Sequence, residues 1–403
     1  PHVPNHQNMK IGFIFLALLV LSGYAVALEP VKLKQFGTDM SNFTSAQISN
    51  QIRYTMSKYA VQLHKYEKKY GKAHPLLKGG LSKRFLGEAN PWNTISINSD
   101  SFFGAKFRVG LDEVFLIPDT GSSDIVINHD AYNPHHSLLS NDTKTGFALG
   151  YGDGSNRVEA HLYTDVFNIG GVSGITCRGV PVGHSNGNFM NYKPMVGILG
   201  LGFKPLSGYA DPYEPLMYTL KKKHKVRHNL FQLTMRRGDH SELHFGAIDF
   251  LKVKGLIGFV DVDPSKGFWE LPAKVNGKKI TALLDSGTTG ILGPKDQVEE
   301  VLKNMDGVEL GHDDEGHLKG YVDCANPPEV KIKIAHKEIK LGKHSVISGI
   351  ENGDSKCYMS IFGQSLIPNF DGWILGTHFF TETSIIFDVG NHRVGIAEQT
   401  PDL

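Results

Sequence analysis

From residue 101 onward, apolar and polar residues alternate in short runs such as Ala105-Lys106-Phe107-Arg108-Val109, broken by Gly, Asn, Asp and Pro. A period of two puts one side of each run in a core and the other in water, so this region predicts short β-strands joined by turns. Upstream the period changes. Ile48, Ile52, Met56, Tyr59, Leu63, Tyr66 and Tyr70 recur at three- and four-residue steps, Thr44-Ser45-Ala46-Gln47 reads as a capping box, and Gly71 follows. One amphipathic helix is predicted there, with a Lys-rich opposite face that reads most simply as a solvated surface. Shorter helices are expected over residues 215–223 and 295–305.

Two apolar runs end in the same turn. Val114-Phe115-Leu116-Ile117 leads, through Pro118, to Asp119-Thr120-Gly121-Ser122-Ser123, and Ile280-Thr281-Ala282-Leu283-Leu284 leads to Asp285-Ser286-Gly287-Thr288-Thr289. Taken singly, each is ordinary turn chemistry: Asp caps the turn and Gly supplies a positive φ. An echo follows each copy, however: Ile198-Leu199-Gly200 begins 79 residues after Asp119, and Ile374-Leu375-Gly376 begins 89 after Asp285. Four elements in repeated order point to two matching lobes. If the lobes face each other, the two carboxylates meet, and one stays protonated while the other acts as a base.

A chain of 403 residues is long enough for two such lobes. Its 42 basic and 41 acidic residues give no reason to expect nucleic acid as a partner. The balance hides a division: residues 28–84 carry 11 Lys and Arg against 3 Asp and Glu, a net of +8, whereas 85–403 carry 30 against 38, a net of −8. The two parts should attract each other. Residues 1–8 read as an upstream extension and 9–27 as a signal peptide, with Lys10, an apolar stretch over 11–21 and Ala25-Val26-Ala27 as the cleavage pattern. The alternative is a membrane anchor, but the apolar stretch falls short of the ~20 residues that span a bilayer. No stable membrane association is expected after cleavage. His135-His136 and the other histidines lack metal-ligand spacing, the Gly-rich runs form no phosphate loop, and neither a metal nor a cofactor is expected. Asn42-Phe43-Thr44 and Asn141-Asp142-Thr143 are candidate glycosylation sites.

The paired Asp motifs, Tyr151-Gly152-Asp153-Gly154-Ser155, Gly197-Ile198-Leu199-Gly200-Leu201-Gly202, and the closing Trp373-Ile374-Leu375-Gly376 with Ile386-Phe387-Asp388-Val389-Gly390 resemble the pepsin-like aspartic proteases, over roughly residues 102–398. The resemblance implies an all-β, bilobal acid-protease fold of two pseudo-symmetric β-barrel-like lobes, here residues 85–250 and 251–403. It implies a secreted aspartic endopeptidase that cuts protein and peptide substrates in acid, with the vacuole as an alternative destination and a monomer as the expected state. Asp119 and Asp285 are the expected catalytic pair. Thr120, Gly121, Ser122, Ser286, Gly287 and Thr288 are expected to donate to them, and Tyr151, Gly152 and Asp153 to form a substrate-binding flap. The Tyr-Gly-Asp-Gly-Ser wording is typical of fungal members that accept lysine beside the cut bond, so Asp153 either pairs with that lysine or only shapes the hairpin. Cys324 and Cys357 match a carboxyl-lobe disulfide of the family and leave Cys177 as a buried thiol.

Residues 28–84 are similar to family prosegments, whose basic helix holds a lysine near the catalytic pair. Lys83-Arg84 would be the processing site. Three departures from the family stand out: Pro118 directly before Asp119, a shortened Gly110-Leu111-Asp112-Glu113 connection without the usual Gly-Thr-Pro, and Val126 where a Trp bonded to the flap tyrosine is common. The alternative reading is a catalytically silent peptide-binding protein on the same fold.

Overall fold

A computed structural model describes residues 30–36, 42–78, 102–148, 159–170, 174–190, 193–238, 240–351, 355–367 and 369–401. The expected signal peptide, Lys83-Arg84 and the expected flap residues Tyr151, Gly152 and Asp153 lie outside them.

The period-two runs form strands. In the first half, six strands close into a barrel in the order Phe102–Val109, Asp112–Asp119, Met195–Gly200, Ile125–Ile127, Ile175–Ser185 and Glu159–Ile169, the last pairing back with the first. The second half repeats the central part. Strand Lys278–Leu284 runs parallel to Gly372–Leu375, which pairs antiparallel with Ile291–Pro294. In the same way, Asp112–Asp119 runs parallel to Met195–Gly200, which pairs antiparallel with Ile125–Ile127. The repeated Ile-Leu-Gly segments are thus the strands that lie beside each Asp turn. This is the all-β, bilobal, pepsin-like architecture.

The halves also share a sheet. Thr383–Asp388 and Arg393–Gln399, near the carboxyl end, pair with each other, and Thr383–Asp388 pairs with Leu230–Thr234 of the first half. Trp269 packs against this sheet, with its ring 4.1 Å from Phe203 and 5.0 Å from Phe387, and its indole N–H donates to Leu201 O at 3.0 Å. Burying a ring of that size stabilises by about 4–6 kcal/mol as an upper bound.

Pro118 fits without a lost ladder bond. Strand Phe102–Val109 pairs with Asp112–Asp119 only as far as Ala105↔Leu116; its first residues turn instead to Val31–Phe36. Pro118 therefore lies beyond its neighbour's reach on that side, which is where proline is tolerated in a sheet. The shortened connection is a two-residue hairpin turn, Gly110-Leu111, with Gly110 at φ +59°. Val126 is buried within the barrel.

The upstream helix spans Ser45–Tyr70, with the Thr44 capping box formed and Gly71 left-handed at its end. Its apolar stripe packs inward: Ile48, Ile52, Met56, Tyr59, Leu63 and Tyr66 are buried, and Tyr59 stacks on Phe268 at 5.1 Å. The opposite face is not simply solvated. Arg53 pairs with Glu315, Lys58 with Asp119 and Asp285, and Lys65 with Asp124, while Lys32 and Lys78 outside the helix pair with Glu242 and Asp371. These contacts realise the +8 to −8 attraction. The other two helices expected from the sequence run Leu216–Lys222 and Lys295–Lys303, slightly shorter than the pattern suggests. Asn42 and Asn141 are exposed.

Candidate active site

Asp119 ends its strand and Asp285 directly follows its own, and each enters a turn pinned by the neighbouring Ile-Leu-Gly strand. Asp285 N–H donates to Leu375 O at 3.1 Å, and Leu201 N–H donates to Asp119 O at 2.9 Å. Asp119 and Asp285 are both buried and come together. Their surroundings match by two-fold symmetry. Asp119 accepts from Gly121 N–H at 3.0 Å and Ser122 Oγ at 2.5 Å; Asp285 accepts from Gly287 N–H at 2.9 Å and Thr288 Oγ1 at 2.7 Å.

Thr120 and Ser286 act differently from expectation. Their hydroxyls donate across the pseudo-dyad to Leu284 O at 2.8 Å and Pro118 O at 2.7 Å, not to the carboxylates. The glycines also have another reason to be there. Gly121 and Gly287 are not among the positive-φ residues. A Cβ on Gly121 would lie 2.7 Å from the Asp285 carboxylate, and one on Gly287 would lie 2.3 Å from an Asp119 oxygen. Each glycine is small so that the opposite carboxylate can approach.

Lys58 Nζ stands between the pair, 2.9 Å from an Asp119 oxygen and 2.8 Å from an Asp285 oxygen, with its side chain 7% exposed. Burial pushes the Asp285 carboxyl up to about 6, the Lys58 ammonium pulling it back only in part and the Asp119 charge adding to the rise. Burial acts upward on Asp119 too, but the Lys58 ammonium and hydrogen bonds from Asp285 and Ser122 outweigh it and hold Asp119 below the usual aspartate value. Burial alone would favour a neutral Lys58; the two carboxylates reverse that and keep it protonated. Similar carboxyls in near-symmetric sites are thus driven apart, one toward the acid form and one toward the base.

A family model described as eukaryotic aspartyl protease matches residues 111–399. The chain belongs to that family. It is 34% identical to secreted aspartyl protease 1 of Malassezia globosa over 96% of this chain and 97% of that protein. It is 29% identical to a probable inactive secreted aspartyl protease of the same organism over 75% of this chain and 80% of that one. Penicillopepsin-1 of Penicillium rubens is 27% identical, over 72% and 76%. As a eukaryotic aspartyl protease, the protein is an aspartic-type endopeptidase.

Cys324 and Cys357 form a disulfide, and Cys177 is a buried free thiol. Among the described residues, Glu242, His244 and Asp249 are the group with metal-like spacing, and sequence spacing alone did not single them out. Lys32 and Lys252 already neutralise Glu242. The resemblance implies a helix lysine near the catalytic pair without saying which one, and in this aspartyl protease it is Lys58. Lys65 on Asp124 had no sequence signal beyond its seven-residue spacing from Lys58 on one helix face.

Proposed function

We propose that the protein is a secreted aspartic endopeptidase made as a latent precursor, in which residues 28–84 are an intramolecular inhibitor and residues 85–250 and 251–403 are the catalytic lobes. The observation that carries this reading is the Lys58 ammonium bonded to both Asp119 and Asp285. In the released enzyme, a water held between the carboxyls attacks the peptide carbonyl. The ionised Asp takes the proton from that water and the protonated Asp donates to the carbonyl oxygen, so no covalent intermediate forms. Two carboxyls buried side by side do not both ionise, so one stays protonated beside its charged partner, which suits these two roles. With Lys58 in place, neither water nor substrate reaches the pair.

Proteins and peptides are the substrates, the enzyme acts in acid as a monomer, and neither nucleic acid nor membrane takes part. Secretion rests on the signal-like segment and on the name of the Malassezia relative. No described helix is long and apolar enough to cross a membrane. The test is to hold the purified full chain at neutral pH, then acidify it in the presence of denatured haemoglobin, with and without pepstatin. Pepstatin-sensitive hydrolysis should appear together with loss of residues 28–84 by a cut after Arg84. Full activity at neutral pH with that segment attached would overturn the reading.

The rival is a silent peptide-binding protein, and the relative named as probably inactive is the observation that favours it. A released chain that binds pepstatin but cuts nothing would establish it.

A further inference from the structure

Lys65 is held in the way a bound ligand is held. Its ammonium donates to Asp124 Oδ2 at 2.9 Å and lies 5.5 Å from the centre of the Phe147 ring, with only 11% of the side chain exposed. Asp124 is 3% exposed. Its carboxylate is fixed from behind: Ser207 Oγ donates to Oδ1 at 2.6 Å, and Gly208 N–H donates to Oδ2 at 2.8 Å. The walls of this pocket, Asp124, Phe147, Ser207 and Gly208, all lie in the part of the chain that stays when residues 28–84 leave. Departure of the helix takes the cation away and leaves the carboxylate in place, and a sheltered charge without its partner is costly.

We infer that the Asp124 pocket is a substrate subsite for a lysine side chain, vacated by Lys65 on activation. The inference rests on the precursor reading above. Lysine fits because its methylene stem can lie along an aromatic wall while the ammonium meets one carboxylate oxygen. Arginine fits less well, because a guanidinium fork needs two free oxygens in one plane and Ser207 already occupies Oδ1. The register also gives a position. Lys65 is seven residues beyond Lys58, about 10.5 Å along a helix. An extended peptide covers that distance in about three residues at ~3.3 Å each. The lysine should therefore lie about three residues from the bond that is cut.

The test uses mature enzyme obtained by acid activation of the full chain. Matched peptides carry Lys, Arg or norleucine at positions two to four residues from the cut bond, on either side; these exclude the position nearest the bond, where Asp153 is expected to act. One position should prefer Lys over norleucine by about tenfold or more in kcat/KM, with Arg between. In Asp124→Asn that ratio should fall to near 1. The amide can still accept from Gly208 N–H and donate to Ser207 Oγ, so the loop stays tied. Phe147→Leu, which keeps the apolar wall but not the ring face, should lower the ratio by about two- to fivefold and carries the test if the first variant does not fold. Equal cutting of Lys and norleucine peptides at every position, or a lysine preference untouched by Asp124→Asn, would overturn the subsite and leave the proteolytic reading standing. An enzyme that cuts none of the peptides overturns both.

Discussion

Thr120 and Ser286 hydrogen-bond each other from opposite halves of the molecule: Thr120 N–H donates to Ser286 Oγ at 3.1 Å and Ser286 N–H donates to Thr120 Oγ1 at 2.9 Å. With the onward bonds to Leu284 O and Pro118 O, four buried bonds tie together the residues that flank Asp119 and Asp285. The carboxyls themselves take no part in this tie. Its effect is to hold the two turns at a fixed separation, which in turn sets how the carboxyls meet.

Removing either hydroxyl strands buried partners in the other half, at about 1–3 kcal/mol each. Thr120→Val and Ser286→Ala should each lower stability by that amount and reduce kcat more than they raise KM, since the turns lose their alignment. Because the two residues bond each other within one buried network, the double variant should lose less than the sum of the two. Denaturant unfolding of all three variants checks this. Losses that add within about 0.5 kcal/mol would show that the hydroxyls act independently.

Asp119→Asn and Asp285→Asn should each abolish acid proteolysis while leaving the fold intact, because an amide cannot share or pass the proton. A positioned acid–base group contributes on the order of 10²–10⁴-fold, so residual rates should fall by at least that much. The comparison is kcat/KM on one peptide together with thermal unfolding. Substantial activity in either folded variant would sink the mechanism.

The fold was legible because it is repeated. Two Asp turns and two Ile-Leu-Gly segments in the same order announce two matching lobes; the structure adds that each segment runs parallel to its Asp strand, Asp119 beside Gly200 and Leu284 beside Leu375. What local pattern could not reveal depends on contacts between distant residues. Pro118 looks disruptive until one sees where the neighbouring strand changes partner. Gly121 and Gly287 look like turn glycines, although the opposite carboxylate is what excludes a side chain. The Lys-rich face of the Ser45–Tyr70 helix looks solvated, yet Lys58 and Lys65 are nearly buried. Periodicity separates apolar from polar faces; it does not say which polar residues meet a carboxylate 59, 61 or 227 residues away.

The disulfide ties Cys324, one residue past strand Leu318–Asp323, to Cys357 in the adjacent strand. With a sequence separation of 33, closing this loop stabilises by roughly 3–4 kcal/mol in the chain-entropy estimate. Cys324→Ser with Cys357→Ser should lower the unfolding free energy by that order, and Cys177→Ser should not. A loss below ~1 kcal/mol would mean that the strand pairing already supplies the constraint.

Lys58→Met should shift activation toward neutral pH. In the wild type, Asp285 is raised to about 6, so acidification protonates it first and leaves Lys58 facing one charge. Asp119 is depressed, so its share of the attraction is present above the ordinary aspartate pKa and is lost only as the pH falls through the lower folded value. Lys58 lowers both carboxyls relative to their state without it, so its hold on Asp285 is lost as the pH falls through about 6. Its hold on Asp119 is lost only in stronger acid, where release of residues 28–84 should become complete. Removing the ammonium breaks a buried ion pair, at a cost of roughly 3–5 kcal/mol, and leaves two carboxylates beneath an apolar side chain. Processing of Lys58→Met at pH 6.5 should then be at least about 10²-fold faster than in wild type, while Lys58→Arg, which keeps the charge, should remain largely latent. The measurement is the rate of appearance of the shortened chain on gels across pH 3–7. If Lys58→Met and wild type process with the same pH profile, the Lys58 contact does not hold the precursor latent, and the other ion pairs of the segment must do so.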